Sequence, residues 1–344
     1  MNRKIKLLLI VVAVMPCVLL AGRLKPEVER AMAYGAEAKI CLKVHDDLEQ
    51  PVSNASVAVV FDMMPRPHSV YGKTDTNGVF VVTGKTNGNK VRFLVGKDGY
   101  YGSEKEFSYV PMNAEHDVKD GKWQPYGARQ DILLKTIRNP IPMSSELVRR
   151  TSETTAINVW IGYDLNIHDF VSPYGKGVES DLEMFFDWDG KCASEYTGMG
   201  LKIRFVEPFS GYCQFEADET SDFKGPYEAS ASASFQQSAE FFERVIAKDV
   251  IGGRRYDRRS FDGSKCWIVR SRCKVDNEGK LVSAHYSIVH NVEYGYVKKG
   301  LVAFGFLGAF NPTPNDTNLE DEEFAKQSRH FIRHCEPPGK GNLK

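Results

Sequence analysis

Between residues 39 and 136 the chain is written in period two. Lys39-Ile-Cys-Leu-Lys-Val-His45 places Ile40, Leu42 and Val44 on one face, the pattern of a half-buried strand. Turn residues follow at Asp46, Asp47 and Gln50-Pro-Val-Ser-Asn54, and Ala55–Phe61 forms a second β-branched run. Pro65 and Pro67 make a further break. Asp75-Thr-Asn-Gly78 then precedes Val79-Phe-Val-Val82 and predicts a tight hairpin, because Asn-Gly readily takes positive φ. Val91–Val95 is another strand, Lys97-Asp-Gly-Tyr-Tyr101 another turn, and Gln130–Lys135 a closing strand. Short strands at this spacing predict a β-sandwich.

Beyond a polar, proline-marked stretch from Ile137 to Thr155, alternation returns. In Asp181-Leu-Glu-Met-Phe-Phe-Asp-Trp-Asp189, Leu182, Met184, Phe186 and Trp188 share one face, opposite Asp181, Glu183, Asp187 and Asp189. Phe235–Val250 carries Phe241, Phe242, Val245 and Ile246 at helical spacing before Gly252-Gly253, and predicts a helix. Cys266–Val275, Leu281–His290, Glu293–Val297 and Leu301–Phe306 predict a meander with Asp276-Asn-Glu-Gly279 as a hairpin turn. The predicted organisation is a leader or anchor with spacer (1–38), a sandwich (39–136), a linker (137–156), a β-rich domain with one or two helices (157–319) and a polar tail (320–344).

The amino terminus changes the picture of where such a protein works. Arg3, Lys4 and Lys6 precede an uncharged run from Leu7 to Gly22, the charged and apolar regions of a secretory signal. As a helix at ~1.5 Å per residue, the run reaches about 24 Å, short of a ~30 Å hydrocarbon core. This favours a signal peptide over an uncleaved anchor, and export in either case. Ala31-Met-Ala33 and Ala36-Glu-Ala38 supply small residues for cleavage, beyond a charged spacer. Val14-Met-Pro-Cys17 lacks the small residue that precedes a lipidated cysteine. Any membrane contact expected is therefore through residues 7–22.

The 344 residues carry 45 basic and 45 acidic side chains, so no overall field draws a polyanion and no nucleic-acid partner is expected. Of the seven cysteines, six follow Cys17, an even number in an oxidising compartment. Cys192 and Cys213 flank a predicted hairpin and form the candidate disulfide, against the alternative that all six are small buried hydrophobes. Cys266 and Cys273 share one strand, about 23 Å apart at ~3.3 Å per residue, and cannot bond each other there.

The run from Pro51-Val-Ser-Asn-Ala-Ser-Val57, through Thr74-Asp-Thr-Asn-Gly-Val-Phe80, to Lys97-Asp-Gly-Tyr100 resembles the transthyretin-like, carboxypeptidase regulatory-like modules. That resemblance, over residues 39 to 136, implies an immunoglobulin-like (prealbumin-like) fold, a supporting or binding role beside another domain, and no shared catalytic residues. Gly162-Tyr-Asp-Leu165, Asp169–Gly177 and Asn311–Leu319 resemble segments of uncharacterised exported bacterial proteins that carry the same module, which implies no function.

Candidate chemistry is sparse. His-Glu-x-x-His, Gly-x-Ser-x-Gly and Cys-x-x-Cys are absent from the sequence. The acids from 181 to 189 could serve calcium or glycan hydrolysis, but Phe185 stands where a calcium loop needs an acid, and Lys202 and Arg204 on the next strand offer cross-strand partners. His285 and His290 sit five apart in one strand and face opposite sides. Arg254-Arg-Tyr-Asp-Arg-Arg259 reads as an exposed loop that could hold phosphate or an acidic glycan. Asp169, Tyr174 and Lys176, around Pro173-Tyr-Gly-Lys-Gly177, are the candidate ligand-binding residues, by aromatic stacking and close backbone approach; turn chemistry alone also accounts for them. No catalytic residue, metal ligand or cofactor is assigned.

The function expected is noncatalytic binding or assembly at the cell envelope, with a glycan or an envelope protein as partner. The alternative is a hydrolase of envelope or extracellular glycans using the 181–189 acids. A third reading is a structural subunit that self-associates through the second domain.

Overall fold

The computed structural model describes residues 25–64, 66–88, 90–109, 118–146, 151–188, 199–218, 220–230, 233–243, 249–251, 254–260, 265–298 and 300–337. Within these, the side chains of 199, 240–243, 249–251, 254–260 and 296–298 are outside the description. The predicted leader at residues 7–22 lies outside it too. The described chain is mainly β, with two helices, and separates into two compact units. One unit holds the chain up to Val95, Glu104–Ile132 and the residues from His334 on; the other holds Gly96–Ser103 and Leu133–Arg333.

The first unit begins with helix α1 (Pro26–Tyr34), which has Pro26 in its first turn and buries Val28 and Ala31. The expected cleavage residues Ala31 and Ala33 lie in this helix, and Ala36 and Ala38 are buried at the start of β1 (Ala36–Asp46). The remaining strands are β2 (Ser56–Phe61), β3 (His68–Lys73), β4 (Val79–Thr86), β5 (Lys90–Gly96), β6 (Ser103–Ser108), β7 (Val118–Lys119), β8 (Lys122–Trp123) and β9 (Ala128–Leu134). They make two sheets, β4-β1-β8-β7 with β9 also on β1, and β3-β2-β5-β6.

The unit is a two-sheet β-sandwich. Ile40, Leu42 and Val44 of β1 are fully buried, as are Val57, Val59 and Phe61 of β2 and Val91, Phe93 and Val95 of β5. Each such side chain contributes about 1.5–3 kcal/mol when removed from water. A methyl group added at Gly84 of β4 would strike the Phe61 ring of β2, which shows how closely the sheets approach.

The Asp75–Gly78 turn forms as its residues demand, but it does not join paired strands. Asp75 accepts from the backbone N–H groups of Asn77 and Val79, and Gly78 has φ +72° at a place where an added side-chain carbon would strike the Val44 carbonyl. The strand before it pairs with β2 and the strand after it with β1, so the turn carries the chain between sheets, not into a hairpin. Turn chemistry specifies a reversal, while partner choice rests with packing.

The second unit is a larger two-sheet sandwich. Its strands are β10 (Ser144–Glu146), β11 (Thr151–Thr154), β12 (Trp160–Asp164), β13 (Asp169–Phe170), β14 (Leu182–Trp188), β15 (Met199–Arg204), β16 (Gly211–Glu216), β17 (Ser238–Glu243), β18 (Asp249–Ile251), β19 (Arg254–Ser260), β20 (Lys265–Val275), β21 (Leu281–Lys298) and β22 (Leu301–Asn311). One sheet runs β13-β12-β14-β15-β17; the other runs β10-β22-β21-β19-β18, with β11 on β22, β20 on β21 and β16 on β20. Their facing sides form one core in which Tyr163, Met184, Phe186 and Leu201 meet Val269, Val289, Phe304 and Phe306. The expected meander is present, and Leu281–His290 and Glu293–Val297 are one strand whose break is a register shift beside Asn291 at φ +50°.

Four expectations change here. Where it is described, Phe235–Val250 is not a helix: Ser238–Glu243 is a strand paired with Met199–Arg204, and Asp249–Ile251 another, while 244–248, with Val245 and Ile246, lie outside the described residues. A short apolar run with adjacent phenylalanines fits either period, and the open edge of β15 supplied hydrogen-bond partners for a strand. Arg254–Ser260 is a strand on β21, not a loop. The expected polar tail contains helix α2 (Glu322–His334), whose Phe324, Ala325 and Ser328 are buried. Ser144–Glu146 and Thr151–Thr154, within the stretch read as a linker, pair with β22.

Phe324 and Ala325 of α2 join Tyr101, Phe223, Ile288 and Ala309 on the side of the larger sheet away from the main core. Tyr101, from the Lys97–Tyr101 turn, is fully buried, stacks on Phe223 at 4.9 Å and donates to Glu320 at 3.0 Å. Burial and the adjacent Glu320 charge raise its phenol well above the ordinary value. This turn, which the sequence pattern assigns to the first module, packs in the second unit.

Candidate functional site

The acids of the 181–187 segment separate into two environments. Asp181 precedes β14, is buried, and meets Asp164 from the end of β12 around Arg272 of β20. Its Oδ1 accepts from the Ser271 hydroxyl at 2.6 Å and Arg272 Nε at 2.9 Å; its Oδ2 accepts from Leu165 N at 2.7 Å and Arg272 Nη2 at 2.9 Å. Asp164 Oδ1 accepts from Asn166 N, Ile167 N and Arg272 Nη2, and Oδ2 from Val178 N and Glu179 N. Burial pushes the Asp164 carboxyl up, but these backbone N–H groups and the guanidinium outweigh it and hold it below the ordinary carboxylate range.

Arg272 has φ +50°, pairs also with Glu179 at 3.1 Å, and lies 4.5 Å from the Phe310 ring centre. The cluster joins one end of the first sheet to the second. Every carboxylate oxygen of Asp164 and Asp181 holds at least two donors, so the geometry is that of a structural clasp and leaves no lone pair poised for proton transfer.

Glu183 and Asp187 lie on the outer face of β14. Arg204 Nε donates to Glu183 at 2.6 Å, and Lys202 lies 3.4 Å from Asp187, the cross-strand pairing that the sequence alternation anticipates. The same cations cover aromatic rings. Arg204 stands 4.1 Å from the Trp160 ring centre and Lys202 5.5 Å from that of Phe185, while Trp160 and Phe185 face each other at 5.4 Å. Asp189 lies outside the described residues.

Of the three candidate ligand residues, Asp169 organises its own loop. Its Oδ1 accepts from Phe170 N and its Oδ2 from Lys176 N at 2.9 Å, so Asp169 meets the backbone of Lys176. Tyr174 is 41% exposed and its backbone N–H closes a turn on Val171. The structure thus brings Asp169 and Lys176 together through turn chemistry, and leaves the Tyr174 side chain exposed.

Two further pairs have reactive residue types that sequence reasoning did not join. Ser144 Oγ lies 3.4 Å from His168 Nε2, but the hydroxyl donates to Asn166 O at 2.5 Å, and Nε2 is 3.2 Å from the Ser144 carbonyl, which makes it a donor. A protonated Nε2 cannot take the serine proton, so this is not a nucleophile and base. Cys266 and His290 are register partners on β20 and β21, both buried on the helix side of the sheet. Burial pushes the Cys266 thiol up to about 12 and brings the His290 imidazole down to about 4, with Lys224 adding to the latter, so both are neutral near pH 7. That is opposite to an activated thiolate. Only strand register brings these residues together, and no local motif reveals it.

Among the described residues no three His, Cys, Asp or Glu side chains converge in a way that could hold a metal ion. Cys213 is a free thiol; Cys192, its candidate partner, lies outside the described residues. His285 packs on Phe310 and His290 on Phe324, separate surroundings for the two histidines.

No family model and no curated protein matches the chain. Among solved structures it is similar, at 11% identity and a TM-score of 0.24, to 3-chlorocatechol 1,2-dioxygenase from Rhodococcus opacus 1CP, over 30% of this chain and 61% of that one. It spans about three fifths of that enzyme's length. A DUF3823 family protein from Parabacteroides merdae ATCC 43184 is similar over 80% of this chain and 98% of its own, at 7% identity and a TM-score of 0.21. Shaft pilin spaA from Lactobacillus rhamnosus GG is similar over 73% and 92%, at 9% and 0.20. Likenesses this slight do not decide an activity.

Proposed function

We propose that this is a noncatalytic exported protein that binds or assembles at the cell envelope, its first unit acting as a transthyretin-like supporting module. The observation that carries this reading is the state of the acids. Glycoside hydrolysis needs two carboxyl groups about 5 to 10 Å apart across a groove, one of them free to give a proton. Asp164 and Asp181 are committed to Arg272, and Glu183 and Asp187 to Arg204 and Lys202 on a sheet face. Export rests on the charged and apolar pattern of residues 3–22. No helix among the described residues is long and apolar enough to cross a membrane.

The test is to express the full chain with its leader, locate it by fractionation, and incubate it with purified envelope polysaccharide. Recovery outside the cytoplasm and co-sedimentation without release of reducing ends are expected. Release of reducing ends that disappears in Glu183→Gln or Asp187→Asn would replace this reading with the hydrolase.

A further inference from the structure

The two outer faces of the first unit settle their charges differently. On the β3-β2-β5-β6 sheet the cations of β5 have partners on β6, Lys90 with Glu106 at 2.6 Å and Arg92 with Glu104 at 3.4 Å. On the other sheet, Lys39 and Lys43 of β1 alternate with the buried Ile40, Leu42 and Val44 and so point outward. Lys85 of β4, Lys119 of β7, Lys122 of β8 and Arg129 of β9 share that side, all exposed, while Lys39 is half-buried. Against these six stand two strand carboxylates, Glu37 and Asp131, and a third, Asp120, in the β7–β8 turn. Glu37 lies in register between Lys85 and Lys122 and accepts from the Tyr126 hydroxyl. Among the described residues no ion pair holds any of the six cations.

We infer that this face binds an acidic, carboxylate-bearing polysaccharide. The inference deepens the binding reading above and rests on it. The argument is charge complementarity. The whole chain balances 45 basic against 45 acidic residues, so the excess of cations on this face is a local feature. A polyanion would engage them without breaking an existing pair. Lys119 and Lys122 are direct register partners, and like charges so placed cost stability that an anion between them would relieve. Lys39 and Lys43, four residues apart on one strand, offer contacts about 13 Å apart at ~3.3 Å per residue, along the direction an extended polymer would take. Lys39 and Lys122 are steadied by the Tyr126 ring, 5.8 and 4.9 Å from its centre, which lowers the freedom they lose on binding.

The apolar content of the face argues for a polysaccharide over other anions. Among its strand residues Val81, 51% exposed, is the one large apolar side chain that stands well out into solvent. A lipid surface rewards inserted apolar groups, and a protein partner needs an apolar interface core. A sugar chain carrying carboxylates needs neither.

Native affinity electrophoresis of the full chain in gels containing alginate or polygalacturonate tests this, with dextran and galactomannan as neutral probes. Retardation by the acidic polymers is expected, strong at roughly 10 mM salt and lost by about 0.5 M, with the neutral polymers inert. Lys43→Gln combined with Lys85→Gln should weaken it about tenfold, and Lys43→Arg with Lys85→Arg should preserve it. Lys90→Gln with Arg92→Gln removes the same charge from the other sheet and should leave retardation unchanged. Circular dichroism confirms that the variants are folded. Cys41, a free thiol between Lys39 and Lys43 on this face, should react several-fold more slowly with N-ethylmaleimide when polygalacturonate is bound.

No retardation by either acidic polymer, equal retardation by the neutral ones, or undiminished retardation of the folded Lys43→Gln, Lys85→Gln protein would overturn the proposal. Sedimentation with phosphatidylglycerol vesicles in place of polymer binding would overturn it too. Co-sedimentation with purified envelope polysaccharide, run in parallel, separates the two levels. Envelope binding that survives the double substitution leaves the binding function standing and removes this face from it. Absence of envelope binding removes the binding function itself.

Discussion

Asp181 and Glu183 stand two residues apart beside one strand and meet opposite fates. Asp181 is fully buried among Ser271, Arg272 and the Leu165 backbone, whereas Glu183 lies on an open sheet face against Arg204. Both are ion-paired with an arginine at under 3 Å. What differs is solvent. A buried carboxylate has no water to fall back on, so it depends on every donor around it; an exposed one exchanges its partner for water at little cost. The same contact is therefore structural in one place and exchangeable with solvent in the other.

The largest effect expected comes from Arg272→Met, which leaves Asp164 and Asp181 buried without their cation. A loss of about 3–5 kcal/mol in denaturant unfolding is expected. Combining it with Asp164→Asn and Asp181→Asn should restore part of that loss. An Arg272→Met protein of unchanged stability would erase the contrast with Glu183.

Next is the pH dependence of a buried base. The His290 imidazole titrates near 4 when folded, against an ordinary value of 6.5. The unfolded chain thus takes up the proton first as pH falls. Its contribution is complete above about pH 6.5 and is lost as pH falls toward 4, a decline of about 3 kcal/mol. His290→Gln should flatten that portion of the stability–pH curve. Asp164, held below its ordinary value, keeps its contribution down to about pH 4 and loses it only in stronger acid, which separates the two groups.

The smallest effect belongs to the exposed pair. A double-mutant cycle on Glu183→Gln and Arg204→Gln should return a coupling of about 0.2–1 kcal/mol that weakens in salt. A coupling of several kcal/mol would mean that the outer face serves stability as the buried clasp does.

Much of the architecture was legible in the alternation. Ile40, Leu42 and Val44, and likewise Leu182, Met184, Phe186 and Trp188, are buried as period two requires. The pairing of Lys202 and Arg204 with the β14 acids was legible for the same reason. The strand at Ser238–Glu243 was not, because adjacent phenylalanines satisfy two periods at once. Helix α2 was obscured by its charged residues, although Asp321 and the acidic first turn mark a helix start. Of the candidate site, Asp169 and Tyr174 could be named from turn chemistry; the partnership of Asp164, Asp181 and Arg272 could not, since it spans 108 positions.

Alternation and turn residues alone determined a β-rich chain whose strands each present an apolar face, since side-chain period and backbone sterics act over a few residues. Tertiary structure alone decided which strands share a sheet, where the Lys97–Tyr101 turn packs, and which of two neighbouring carboxylates loses its water. Those outcomes depend on partners far away in the chain, and burial, which sets the strength of every charge here, exists only once those partners have met.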